Sequence, residues 1–194
     1  MPQISLICPT ARTKEICMRM VDSIKTNLDM ELIFIGPINY FSEKEKLSIP
    51  YKFIITPVKV VQCFQIGMWE SKGETCAIIS DDIRFTPYAW DEAYSIYKES
   101  NNYKTIASLN CFGPLTKGRE KKFARNGIVL EEVIIEDIKQ GKPRLYNNFK
   151  AITTYEGFQL PNACSIISKQ FFYELGGYDS NFIKAGALED VILR

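Results

Sequence analysis

Short unbroken apolar runs alternate along this chain with stretches in which apolar residues return every three or four positions. Residues 3–8 (Gln-Ile-Ser-Leu-Ile-Cys) end at Pro9, as a buried strand does on entering a loop. Thr13 can cap a following helix whose one face carries Cys17, Met20, Val21, Ile24 and Leu28. Leu32 to Ile35 predict a second strand, closed by Gly36-Pro37, and Phe53 to Ile55 predict a third. Thr56-Pro57 supply a cap residue with proline at the first helical position, ahead of Val61, Phe64 and Met68 on one helix face. Thr75 to Ile79 predict another buried strand, ending at Ser80-Asp81-Asp82. Thr86-Pro87 repeat the cap signal before a helix with Trp90, Tyr94 and Tyr97.

This alternation with short connections predicts an α/β fold: a Rossmann-like, mostly parallel sheet flanked by helices, with ligands at the carboxyl ends of the strands. Pro9-Thr10 and Asp81-Asp82 both belong at that edge. Residues 104–109 predict a further strand, after which no clear period survives from Asn110 to Gln159. Order returns with a strand over 162–167. A short helix follows, capped by Ser168, carrying Phe171, Phe172 and Leu175, and stopped by Gly176-Gly177. The apolar segment opening at Leu188 has only about two turns before Arg194, so the domain is expected to be cut short on its C-terminal side.

At 194 residues the chain is long enough for one domain with a substantial core. Lys plus Arg number 24 and Asp plus Glu 23, so the net charge of +1 gives no field that would demand nucleic acid or a membrane as partner. No apolar stretch approaches the roughly 20 residues of a membrane span, and the run near the N-terminus is too short for a signal peptide. The expectation is a soluble, cytoplasmic protein. Six cysteines lie scattered, mostly in apolar runs and without a C-x-x-C pair, which predicts buried reduced thiols. There is no histidine, so Ser-His and Cys-His nucleophile systems and imidazole metal sites are excluded. Acid-base or metal chemistry here falls to Asp, Glu, Lys, Tyr or Cys.

Two acidic pairs are the candidates. Asp81-Asp82 closes a buried strand at the ligand edge and places oxygen ligands where a hard divalent cation could bind; an ordinary turn pair reads the same way. Glu189-Asp190 opens the last apolar segment, where a helix dipole favours carboxylates and where a base could also act. The basic stretch Lys117, Arg119, Lys121, Lys122 and Arg125 reads as a solvated loop, with a lid over an anionic ligand as the functional alternative. Trp69, Trp90, Tyr94 and Tyr97 read as core, whereas Tyr155, Phe158 and Tyr178 are the aromatic candidates for stacking on a sugar.

Four segments fall in a telling order: Ile7-Cys8-Pro9-Thr10 with Arg12 just beyond; Phe64 to Glu74 (Phe-Gln-Ile-Gly-Met-Trp-Glu-Ser-Lys-Gly-Glu); Ser80 to Pro87; and Gly176-Gly177-Tyr178-Asp179 followed by Glu189-Asp190. In that order, from Ile4 to Arg194, the chain resembles the family 2 glycosyltransferases with the GT-A fold. The resemblance implies one nucleotide-diphospho-sugar transferase domain over 1–194, with 1–109 the nucleotide-sugar half and 110–194 the acceptor-side half. It implies a metal-dependent, inverting, hexosyltransferase-like enzyme with a nucleotide-diphosphate sugar as donor and an acceptor hydroxyl. By the same resemblance Pro9, Thr10, Arg12, Gln65 and Asp81 line the donor pocket. Asp82 holds Mn²⁺ or Mg²⁺ at the diphosphate, Asp190 is the general base, and Glu189 orients the acceptor or that base.

Besides Gln65 in place of Asn and Ser71 in place of Ala in the second segment, the chain departs from the family pattern at three places. Gly36 stands where an Asp contacts the base or ribose, Ser80 takes the first acidic position of the Asp-x-Asp frame, and the C-terminal histidine ligand is missing. These departures keep open a degenerate GT-A domain that serves as a binding or assembly module. A sugar nucleotidyltransferase is disfavoured, because its glycine-rich basic loop has no counterpart in Pro9-Thr10-Ala11-Arg12-Thr13.

Overall fold

The N-terminal strands are apolar on both sides, so each must be covered on both faces to leave water. A computed structural model, describing residues 1–42, 45–81, 83–109, 151–152 and 164–178, meets that requirement with a three-layer arrangement. The elements are β1 (Ile4–Pro9), α1 (Lys14–Ser23), β2 (Met30–Gly36), β3 (Tyr51–Ile55), α2 (Val60–Glu70) and β4 (Thr75–Ile78). They continue with α3 (Ala89–Glu99), β5 (Ile106–Ser108), β6 (Ala151–Ile152), β7 (Ser165–Ser168) and α4 (Lys169–Glu174).

The sheet runs β3-β2-β1-β4-β7-β5-β6. β1 to β4 pair in parallel, whereas β7 lies antiparallel between β4 and β5, and β6 antiparallel to β5. Ile4, Leu6 and Cys8 point to one face, where Cys17, Met20 and Val21 of α1 and Trp90, Ala93 and Tyr97 of α3 cover them. Ile7, Ile33 and Ile35 point to the other, under Val61, Phe64 and Met68 of α2 and Phe172 of α4. Alternate side chains of one strand thus feed two cores, as the period of two requires.

The expected fold class is what the structure has, and most strands and helices fall where the apolar pattern puts them. Helix starts differ. Thr56 does not begin α2: its N–H bonds the carbonyl of Gly36, prolonging the β2–β3 pairing, and the helix opens at Val60 with Gln62 Oε1 accepting from Lys59 N–H at 3.0 Å. α3 likewise starts two residues beyond Pro87, after Tyr88 at φ 61°. Ser168 caps α4 as predicted, accepting from Phe171 N–H at 3.0 Å. Trp69, expected in the core, is 77% exposed, because it falls on the outer side of α2 beyond buried Met68. β6 is a short strand inside the stretch where the sequence pattern blurs.

Candidate functional site

β1 sends its chain to β2 on one side while β4 flanks it on the other, so the loops after β1 and β4 diverge and leave a crevice at their carboxyl ends. A cleft of about 400 Å³ occupies this place. Pro9, Thr10, Arg12, Ser80 and Asp81 line its polar side. Ile35, Val58, Val60, Cys63 and Phe64 line an apolar side, supplied by β2, the loop ahead of α2 and the first turns of α2. A larger cavity of about 680 Å³ sits at the amino end of β4, lined in part by Lys72, Thr75, Tyr97 and Lys169, and holds none of the predicted site residues.

The polar side is tied together. Thr10 is 5% and Asp81 4% exposed, and Thr10 Oγ1 donates to Asp81 Oδ2 at 2.6 Å. Arg12 Nε lies 3.5 Å from Asp81 Oδ1, with the guanidinium side chain half exposed at the mouth. Thr10 is fixed in turn by its own N–H, which donates to Ile35 carbonyl at 2.8 Å, and its hydroxyl lies 3.3 Å from Cys17 Sγ. The buried carboxylate is thus held by a hydrogen bond and an ion pair instead of facing an apolar interior bare. The β1 loop therefore presents a guanidinium to the cleft while its threonine anchors the β4 loop.

Gly36 has a different explanation from the loss of a contact residue. A Cβ built on it would stand 1.8 Å from the carbonyl oxygen of Thr10. No side chain fits, so the end of β2 cannot carry a carboxylate while Thr10 stays in place.

Cys63 lines the cleft, and burial pushes its thiol up to about 11. Cys17 is also raised, chiefly by burial, with the Thr10 hydrogen bond opposing and the Asp81 charge adding. These thiols stay protonated at neutral pH and do not act as thiolate nucleophiles or ligands. Among the described residues Cys8, Cys17, Cys63, Cys76 and Cys164 are all buried, and Cys17, Cys63 and Cys76 are free thiols, as the composition predicts.

Of the predicted donor-pocket residues, Pro9, Thr10, Arg12 and Asp81 meet in this cleft. Gln65 is placed differently: its Oε1 accepts from Tyr178 N–H at 3.1 Å, on the turn that follows α4. Tyr178 is 6% exposed and packs against Phe64 and Phe172, at ring-centroid distances of 5.6 and 5.4 Å, so it is no open platform for a sugar. Asp82, Glu189, Asp190, Tyr155, Phe158 and the basic stretch 117–125 lie outside the described residues. The apolar wall of Val58, Val60 and Cys63 was not anticipated. Its signal was positional, since the first turn of a helix that follows a parallel strand begins at the ligand edge.

A doubly wound, mostly parallel sheet with a polar and apolar cleft at its switch point defines the class of open, doubly wound α/β folds. Within it, this chain has the GT-A glycosyltransferase fold. Its solved structural neighbours include S. aureus TarS 1–349, a GT-A family glycosyltransferase, at TM-score 0.60 and 12% identity over 98% of this chain and 54% of that one. The same protein in complex with UDP matches at TM-score 0.59 and 13% identity, over 97% of this chain and 52% of that one. Its complex with UDP-GlcNAc matches at 0.54 and 11%, over 89% and 47%. The chain thus spans about half the length of these structures. No protein-family model and no curated protein matches the sequence. Among the described residues no helix is long and apolar enough to cross a membrane.

Proposed function

We propose that this chain is a metal-dependent, inverting glycosyltransferase that moves a sugar from a nucleotide-diphosphate donor to an acceptor hydroxyl. The observation that carries the reading is the two-sided cleft at the switch point, with Arg12 at its mouth and the Thr10–Asp81 pair behind it. An apolar wall including Phe64 accepts a flat nucleoside, and Arg12 meets its diphosphate. The TarS complexes with UDP and UDP-GlcNAc make a uridine diphosphate sugar the first donor to test.

Asp81, a buried carboxylate held by Thr10 and Arg12, stands beside Asp82 in sequence, and such an all-oxygen donor set suits Mg²⁺ or Mn²⁺. Asp82 is the residue assigned to hold the ion, which when bound offsets charge on the departing nucleoside diphosphate. Asp190 takes the proton from the acceptor hydroxyl as that oxygen attacks the anomeric carbon, and Glu189 orients the acceptor. In-line attack inverts the configuration.

Calorimetric titration with UDP, GDP and CDP, each with and without Mn²⁺, tests this. Metal-dependent binding of at least one nucleotide is expected, and binding of none overturns the proposal. A second reading, a nucleotide-binding module without transfer, is favoured by the engagement of both Asp81 oxygens with Thr10 and Arg12. UDP binding without release of UDP from any UDP-sugar, acceptors included, would select it.

A further inference from the structure

A threonine hydroxyl has one hydrogen to give and two lone pairs to offer, and Thr10 meets a partner for each. Its Oγ1 lies 2.6 Å from Asp81 Oδ2, 3.3 Å from Cys17 Sγ and 3.3 Å from the backbone nitrogen of Arg12. Arg12 N–H can only donate. The hydroxyl hydrogen goes to the carboxylate oxygen, the shortest of the three contacts, so only a lone pair is left for the thiol. Cys17 S–H is therefore a donor, and the bonds run from Cys17 to Thr10 to Asp81.

The three groups come from three parts of the fold. Cys17 stands on the buried face of α1 with Met20 and Val21, Thr10 follows β1, and Asp81 lies beyond β4. Thr10 and Asp81 line the cleft, whereas Cys17 is 1% exposed and does not. Its own N–H bonds the Thr13 carbonyl at 3.3 Å, which ties the thiol's backbone to the first turn of α1. On the cleft side Asp81 Oδ1 pairs with Arg12 Nε at 3.5 Å, and Arg12 N–H closes back on Thr10. The bonds around Thr10 thus have one support that comes from behind the cleft.

We infer that Cys17 is a positioning residue for the donor cleft: from the core side of α1 its S–H holds the Thr10 hydroxyl toward Asp81, which in turn keeps Arg12 at the mouth. With one lone pair filled by the thiol and the other by Arg12 N–H, the O–H bond has a single direction left, toward Asp81 Oδ2. Without the thiol a lone pair stays unfilled in a buried place, and the hydroxyl is free to turn from the carboxylate. What the cleft binds rests on the proposed nucleotide-sugar reading. The bond itself is measurable without any ligand.

Infrared difference spectra of the full chain read that bond. The S–H stretch that disappears in Cys17→Ala should shift in Thr10→Val, which removes the acceptor, and a stretch that does not move overturns the inference. Titration with UDP and Mn²⁺ reads the consequence. Cys17→Ala should bind UDP at least about threefold more weakly than the parent, the share of one net hydrogen bond. In a Thr10→Val background the same substitution should leave Kd within about 1.5-fold, because the coupling runs through the missing hydroxyl. Cys17→Val serves if the alanine variant does not fold. Cys76→Ala is the control: its Sγ donates to Ser71 Oγ at 3.2 Å, outside the cleft, so a like bond is lost while UDP Kd stays within about twofold. A merely structural Cys17 would weaken UDP binding equally in both backgrounds, and that result, or an unchanged Kd in Cys17→Ala, overturns the inference. A parent that binds no UDP counts against the donor reading instead, and the infrared shift still decides the bond, so the two failures are separable.

Discussion

Gly36→Ala is the sharpest probe of the cleft, because the structure gives its consequence in ångströms. The new methyl would sit 1.8 Å from the Thr10 carbonyl oxygen, where real Cβ atoms do not come within 3.0 Å, so the β1 loop and the end of β2 must part by about 1.2 Å. Thr10 is held at that spot by its N–H bond to Ile35 carbonyl, 2.8 Å, and by its 2.6 Å bond to Asp81. Opening by this amount stretches the first beyond hydrogen-bonding length and endangers the second. Overpacking costs about 1–3 kcal/mol. Loss of a hydrogen bond to a charged group adds about 1.5–3 kcal/mol. A total of roughly 3–5 kcal/mol is a large share of the ~5–15 kcal/mol that holds a domain together. At about 2–4 °C per kcal/mol for a chain of this size, the melting temperature should fall by roughly 10 °C. Thermal unfolding followed by circular dichroism and by tryptophan fluorescence checks this, with coincident transitions as the test of two-state behaviour. UDP titration of the folded variant should show at least tenfold weaker binding, since Thr10 and Arg12 both line the cleft. Gly176→Ala is the control: φ there is +87° but nothing lies within 4 Å, so only the backbone cost of about 1 kcal/mol applies. A Gly36→Ala protein that melts within about 1 °C of the parent and binds UDP equally well would refute the reasoning.

Thr10→Val keeps the shape and removes the donor to buried Asp81, so urea unfolding should register a loss of about 1–3 kcal/mol that Thr10→Ser largely recovers. Asp190→Asn should lower transfer by at least about 100-fold while UDP affinity stays within about twofold; equal turnover would remove Asp190 as the base. Cys63 and Cys76 have folded pKa values raised by burial from 9.0 to about 11. Their stabilising effect is full below about pH 9, where folded and unfolded thiols are both protonated, and is lost as pH climbs toward about 11, because the unfolded thiols ionise first. Melting temperature should therefore fall across that window, less steeply in Cys63→Ala and Cys76→Ala, and a flat profile would contradict the assigned burial.

Much of the cleft could be read from the chain because strand ends and ligand edges coincide in doubly wound sheets. Pro9-Thr10 and Ser80-Asp81 each close an apolar run, and a parallel sheet carries both to one edge. Helix starts were less legible: Thr56-Pro57 looks like a cap, yet Thr56 N–H is claimed by Gly36 across the β2–β3 pair. Tyr178 reads in the sequence as a candidate for stacking on a sugar. Its burial depends on Phe64 and Phe172, which sequence distance conceals.

What the sequence determined by itself is periodic and local: runs of Ile, Leu and Cys that must be buried on both faces, hence strands between helices, and the absence of histidine, which leaves acid-base or metal chemistry to Asp, Glu, Lys, Tyr or Cys. Only the tertiary structure decided what Gly36 and Gln65 do. Gly36 is glycine because the Thr10 carbonyl comes too close for a Cβ, and Gln65 turns to Tyr178 because the sheet brings β7 and α4 beside α2. Both facts are contacts between segments far apart in the chain. Such contacts leave no period in the sequence, because their geometry is fixed only when the layers pack.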